Sequence, residues 1–289
     1  VNHYNLGVDY QDRGRFLEAA REYRRAVELN PHDPAPRFNL GVLYQDHEKP
    51  AEAKREYQTL LEKHPDYSPA WVNLAAIQEQ EGDLLAAEGS LDNALAADRD
   101  NPFPVSQKGF FLLRRARLPE ARSAFEEALK RDPKWANAHF GLGRIAEEQG
   151  DRTKALGLYL TALDHNPMDL EAHLKAAGLL IPRGQADEAV QHLRRAAELG
   201  PTRGETFFLL GALLREKGMW KAAEEAFQRA LHLRANPAQC HLELSRIYER
   251  LAMEERLSYE REQQRSGGAP ASPSQTPPVP SGAPAPSSH

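Results

Sequence analysis

Three asparagines stand in phase: Asn5, Asn39 and Asn73, each preceding a leucine at intervals of 34 residues. Asparagine is a mediocre helix former, so its return needs a cause. A carboxamide both donates and accepts hydrogen bonds. A row of them can hold the backbone of an extended peptide without reading its side chains. Gln107 continues the row, and a parallel row reads Val8, Val42, Ala76 and Phe110. Residues suited to catalysis are scarce. There is no H-E-x-x-H, no phosphate-binding G-x-x-x-x-G-K-[ST] and no C-x-x-C. The glycines of "GLGRIAEEQG" at 141–150 have the wrong spacing for a dinucleotide fingerprint. His139, His173 and His241 recur in phase but without a carboxylate motif, and they read as packing residues rather than metal ligands. Trp71, Trp135 and Trp220 read as packing residues too. Cys240 has no basic neighbour in sequence to lower its pKa. No enzyme, cofactor or metal site is expected.

What must position these residues is a repeated element. With residue 34 as position 1 of a 34-residue frame, position 20 is Ala19, Ala53, Ala87, Ala121, Ala155, Ala189 and Ala223. Position 8 is always small, from Gly7 and Gly41 to Ser245, and position 24 is always large, from Tyr23 and Tyr57 to Phe227. Pro31, Pro65, Pro133, Pro167 and Pro201 fall at position 32. Positions 4, 7, 8 and 11 form one helical face, and positions 20, 24 and 27 form another. Glycine at position 15 separates the two helices, and proline at 32 ends the second.

These motifs resemble the tetratricopeptide repeat, W-x2-L-G-x2-Y, then A-x3-F, then P. They read here as "YNLGVDY" at 4–10, "WVNLAAIQ" at 71–78 and "AFQRAL" at 226–231. The resemblance covers residues 1 to about 250. It implies an all-α, right-handed superhelix of about seven and a half helix hairpins, with each repeat touching only its neighbours. Repeats at 1–33, 34–67, 68–101, 102–135, 136–169, 170–203 and 204–237 would be followed by a partial repeat and capping helix at 238–265.

The resemblance also implies that positions 2, 6, 9 and 13 line the concave face, and that the partner is a protein or an extended peptide. The superhelix of O-linked N-acetylglucosamine transferases is similar, and holds peptides on an asparagine ladder. Two readings of Asn5, Asn39 and Asn73 stand side by side. They form such a ladder, or they are the residue this repeat family most often places there. No packing duty is evident, so Asn39→Ala with Asn73→Ala should cost about 1–3 kcal/mol of partner binding and little thermal stability. Arg114, Arg144 and Lys175 would face the same groove, where they could receive a carboxylate. The stronger reading is a solvated face neutralised by Glu147, Glu148 and Glu171. Charge jumps here, from −6 in repeat 3 to +4 in repeat 4. The basic residues of the family's carboxylate clamp are absent: Val1, Asn5, Asn39, Pro69 and Asn73 stand at its positions. Acidic chaperone tails are therefore not expected as ligands.

Some stretches depart from the pattern. Repeat 4 has Lys108 at a leucine position and Ala116 at the turn glycine, which suggests a local kink. Pro182 should end its helix about a turn early, and the delayed Pro237 should let the preceding helix overrun. Beyond Tyr248 a polar capping helix is expected, with Leu257 where alanine should stand. Residues 266–289 hold no charged or aromatic residue, and read as a disordered proline-rich tail or linker. The Pro277–Pro280 match to P-x-x-P is weak in such a tail.

The composition fits a binding array. The chain of 289 residues is 40% apolar, 27% charged and 8% aromatic, with a mean hydropathy of −0.66. Its net charge of −5 gives no general attraction to nucleic acid. One cysteine excludes an intrachain disulfide and fits a reducing compartment. No apolar run is long enough to span a membrane. The start at Val1, with no signal pattern, suggests residues upstream and leaves a cytoplasmic or envelope-associated location open. The leading expectation is a non-enzymatic scaffold holding an extended segment. The alternatives are an assembly subunit of an envelope, pilus or secretion complex, and the repeat region of a longer transferase.

Overall fold

Volume exchange between positions 8 and 24 sets how the two helices of each hairpin meet. The aromatic rings Tyr23, Tyr57, Phe125, Tyr159 and Phe227 are fully buried. Opposite them stand Gly7, Gly41, Gly109, Gly143 and Gly211. A Cβ on Gly41 would lie 2.5 Å from Tyr57 Cε1, so even alanine is too large there. Where position 24 shrinks to Leu91 or Leu193, position 8 grows to Ala75 or Ala177, both buried. Close-packed interiors demand this compensation.

The structure, a computed structural model, describes residues 2–265, and among these it contains α-helices and no strand. Two compact parts meet in sequence at Pro182 and Arg183. The first holds α1 (His3–Asp12), α2 (Phe16–Leu29), α3 (Pro34–Asp46), α4 (Pro50–Lys63), α5 (Ser68–Gln80) and α6 (Leu84–Ala97). It continues with α7 (Pro102–Arg114), α8 (Leu118–Arg131), α9 (Ala136–Glu148), α10 (Arg152–His165) and α11 (Leu170–Leu180). The second contains α12 (Ala186–Leu199), α13 (Gly204–Glu216), α14 (Trp220–His232) and α15 (Pro237–Arg265). Within each part, every helix packs on its sequence neighbours, as in a one-dimensional array.

Helix starts follow from local chemistry. Asp33, Asn101 and Asp169 accept backbone N–H bonds at the N-termini of α3, α7 and α11. Pro34, Pro50 and Pro102 occupy first-turn positions, where a missing N–H costs nothing. Between the helices of a hairpin the chain passes through a left-handed residue. It is glycine at Gly14, Gly82, Gly150, Gly184 and Gly218, but Glu48 (φ 56°) in repeat 2 and Ala116 (φ 55°) in repeat 4.

Three sequence expectations need correction. Repeat 4 keeps its geometry: α7 runs 13 residues, as α9 does, and Ala116 accepts the left-handed conformation. Pro182 shortens α11 to 11 residues rather than by a full turn, and a 3-10 turn, Ile181–Arg183, carries the chain on. The helix before Pro237 does not overrun. Helix α14 stops at His232, Arg234 and Asn236 turn the chain at positive φ, and Pro237 opens the next helix. The half repeat and the capping helix are one continuous helix, α15, of 29 residues. Its first half buries Cys240, Leu244 and Ile247, while Met253, Leu257 and Tyr259 are exposed. The proline-rich stretch 266–289 and its P-x-x-P match lie outside the described residues.

Candidate functional site

A buried tyrosine hydroxyl requires a hydrogen-bond partner, and that requirement explains position 6. Tyr23 donates to Gln11 Oε1 at 2.7 Å. Asn39 Nδ2 donates to the Tyr4 hydroxyl at 3.1 Å. One repeat later, Tyr57 donates to Gln45 Oε1 at 3.2 Å and accepts from Asn73 Nδ2 at 3.0 Å. In repeat 5, Tyr159 donates to Glu147 Oε2 at 2.7 Å, and Lys175 Nζ donates to the same oxygen at 2.9 Å. Around Tyr57 and Tyr159, position 12, position 24 and position 6 of the next repeat thus form one tether between repeats, while Asn39 reaches Tyr4 instead. Burial pushes the Tyr23 phenol up to about 12, against a smaller opposing pull from Asn39. Burial raises Tyr57 and Tyr159 further. Glu147 is pushed up by burial, but bonds from Tyr159 and Lys175 outweigh this and leave it low.

The asparagines therefore have a packing duty that the sequence did not reveal. It belongs to Asn39 and Asn73 but not to Asn5, whose exposed carboxamide has no partner among the described residues. With Nδ2 turned toward tyrosine, the Oδ1 of Asn39 and of Asn73 has no hydrogen bond among the described residues. Gln107 is half-buried at the same position of α7. The row ends at Gly141, where any Cβ would collide with Phe125. Tyrosine at position 24 brings Gln or Glu at position 12 in all three cases, Gln11, Gln45 and Glu147, and that pairing was the available signal.

Beside the carboxamides, Val8, Val42 and Phe110 are half-buried. The valines also pack on the core of repeats 1–3. Phe110 lies edge-on to Phe125, with ring centroids 4.9 Å apart.

The mid-array charge jump is a pattern of ion pairs between repeats. Arg114 grips Glu79 with Nε at 2.7 Å and Nη2 at 2.6 Å, and Arg115 adds a third bond at 3.1 Å. The Arg114 bond holds Glu79 below the usual carboxylate range despite burial. Arg117 bonds Glu88, and Lys108 pairs with Asp92. Lys108, which departs from the leucine of the pattern, is among the residues that bind repeat 4 to repeat 3. Arg114 and Lys175 are thus engaged within the array. Arg144 forms no hydrogen bond or ion pair among the described residues, although Glu147 lies in its field.

The recurring histidines brace turns. His139 Nε2 bonds the Pro133 carbonyl at 3.0 Å, and His173 Nε2 bonds that of Pro167 at 3.2 Å. Trp71 Nε1 donates to the Pro65 carbonyl in the same way, at 2.9 Å. His241 is exposed on α15. Cys240 is buried, its Sγ lies 3.2 Å from the Ala235 carbonyl, and burial raises its pKa, which makes the thiol unreactive. Among the described residues, no three His, Cys, Asp or Glu side chains are grouped to hold a metal.

Stacked helix hairpins with a 34-residue period, tethered through position 6, define the class as an all-α repeat array. Tetratricopeptide repeat models match residues 10–77, 112–160, 146–204 and 206–240, well over half of the chain. The chain belongs to the tetratricopeptide repeat family, whose members bind protein partners and take part in complexes. It is 32% identical over 101 residues to the general transcriptional corepressor trfA of Dictyostelium discoideum, covering 35% of this chain and 7% of that one. It is 27% identical over 141 residues to the type IV pilus assembly protein PilF of Pseudomonas aeruginosa, covering 48% and 56%. The chain spans less than two thirds of the length of either relative. The solved structure of Pseudomonas aeruginosa PilF superposes with a TM-score of 0.60 at 22% identity, covering 74% of this chain and 95% of that one. A chain of the APC/C hetero-tetramer Cut9–Hcn1 gives 0.63 at 15% identity, covering 81% of this chain and 48% of that one. At these identities the structures establish the fold. No helix among the described residues is long and apolar enough to cross a membrane.

Proposed function

We propose that the chain is a non-enzymatic scaffold that holds an extended segment of a partner protein along the helix-A face of its first repeats. Asn5, Asn39, Asn73 and Gln107 hydrogen-bond the segment's backbone, and Val8, Val42 and Phe110 pack beneath its side chains. Arg144 is the cation left to meet a carboxylate, since Arg114 and Lys175 are engaged with Glu79 and Glu147. The observation that carries this reading is the polarity of the tether. Tyrosine takes the Nδ2 of Asn39 and Asn73, so each Oδ1 remains as an acceptor for a peptide N–H. Asn5 is the clean probe because its carboxamide has no hydrogen-bond partner among the described residues. For a peptide selected against the full chain from a display library, Asn5→Ala should weaken binding by about 1 kcal/mol with no change in Tm. An unchanged Kd would remove the ladder from the mechanism.

The similarity to the pilus assembly protein PilF favours a second reading, that of a subunit in a larger assembly. A native complex in which the helix-A face stays empty would decide for it.

A further inference from the structure

The second compact part contains a cavity of ≈ 340 Å³ that the groove reading does not use. It lies among α12, α13 and α14. Phe207, Leu210, Leu214 and Ala226 give it an apolar lining, and of these only Phe207 is more than slightly exposed. Arg194 from α12 and Arg229 with Glu225 from α14 line it as well, and all three are solvent-exposed. The charges are not balanced internally. Arg194 has no partner among the described residues, and Arg229 donates to the neutral Pro201 carbonyl at 3.3 Å while stacking over Phe207. Glu225, one helical turn from Arg229, makes no ion pair with it. Other basic residues between repeats do meet carboxylates, as Arg114 meets Glu79 and Arg215 meets Glu243.

We propose that this cavity binds an acidic segment of a partner protein, taking one large apolar side chain into the lining and its flanking carboxylates onto Arg194 and Arg229. Charge complementarity selects the occupant: two guanidiniums against one carboxylate favour an anion, and arginine grips carboxylates in bidentate fashion. The volume is at the small end of ligand pockets and suits one side chain rather than a cofactor. Residues 266–289 hold no Asp or Glu side chain.

The test is a methyl-NMR titration of the full chain, read at Leu210 and Leu214. Three probes serve: acetyl-Gly-Asp-Phe-Asp-Gly-amide, its Asp→Lys counterpart and its Phe→Ala counterpart. The acidic phenylalanine probe should bind with a Kd below about 1 mM, and the other two at least about tenfold more weakly. Arg194→Glu, which breaks no internal bond, should weaken the acidic probe about tenfold at unchanged Tm, and Arg194→Glu with Arg229→Glu further. Equal binding of the lysine probe, no shifts at Leu210 and Leu214, or unaltered binding to Arg194→Glu would overturn the proposal. So would saturation by free 3-phenylpropionate without peptide binding, or self-association that occupies the cavity. Because the readout lies on α13, the outcome is separate from that of Asn5 on α1.

Discussion

The smallest decisive unit in this protein is a hydroxyl. Tyr57 is fully buried, and its oxygen links Gln45 behind it to Asn73 in the next repeat. Tyr57→Phe should cost about 1 kcal/mol in chemical denaturation, because it strands two polar groups as well as deleting two bonds. Asn39→Ala with Asn73→Ala should lower Tm as well as affinity, contrary to what the sequence suggests, since both amides hold tyrosines. The same hydroxyls set an alkaline limit. Folded Tyr23 ionises near 12, whereas an exposed tyrosine ionises near 10. The folded state therefore keeps its proton longer, and this stability is complete below pH about 10 and lost as pH rises through about 12. Tm measured from pH 9 upward should fall, and Tyr23→Phe with Tyr57→Phe should flatten that fall. An equally steep decline in the variant would show that other groups control it.

Among the elements, the hairpins of repeats 2 and 4 carry strain that the others avoid. Ala116 sits at φ 55° where five other hairpins use glycine. A non-glycine residue in that region costs about 1–2 kcal/mol, so Ala116→Gly should raise stability by about 1 kcal/mol in denaturant titration. The α5–α7 junction depends on Glu79, which Arg114 and Arg115 hold together. Arg114 is nearly half exposed, so Glu79→Gln should cost only about 1 kcal/mol. Its depressed pKa means that the contribution is present above pH about 4.5 and is lost on further acidification. Much at this scale was legible in the sequence. Small residues at positions 8 and 20 and bulk at 24 specify the hairpin, because they report volumes that must add up. Junctions were less legible. Pro237 read as a late stop, yet it starts α15, because a proline that ends one helix and one that opens the next look alike in sequence. The pairing of Arg114 with Glu79 spans 35 residues, and a periodic frame does not show which side chains reach across it.

For the molecule as a whole, the periodic fold leaves one face of the first repeats with hydrogen-bond acceptors and few unpaired cations. Sequence indicated that face through Asn5, Asn39 and Asn73, but it did not separate tethering from binding, because one carboxamide has the donors and the acceptor for both. Photo-crosslinking tests the binding half most directly. Cys240 is buried, so a benzophenone label can be placed on Asn5→Cys, or on Leu17→Cys at the exposed surface of α2. Both carriers should bind a display-selected peptide, and crosslinks should form from position 5 and not from position 17. Crosslinks from position 17 alone, with binding intact, would contradict the account.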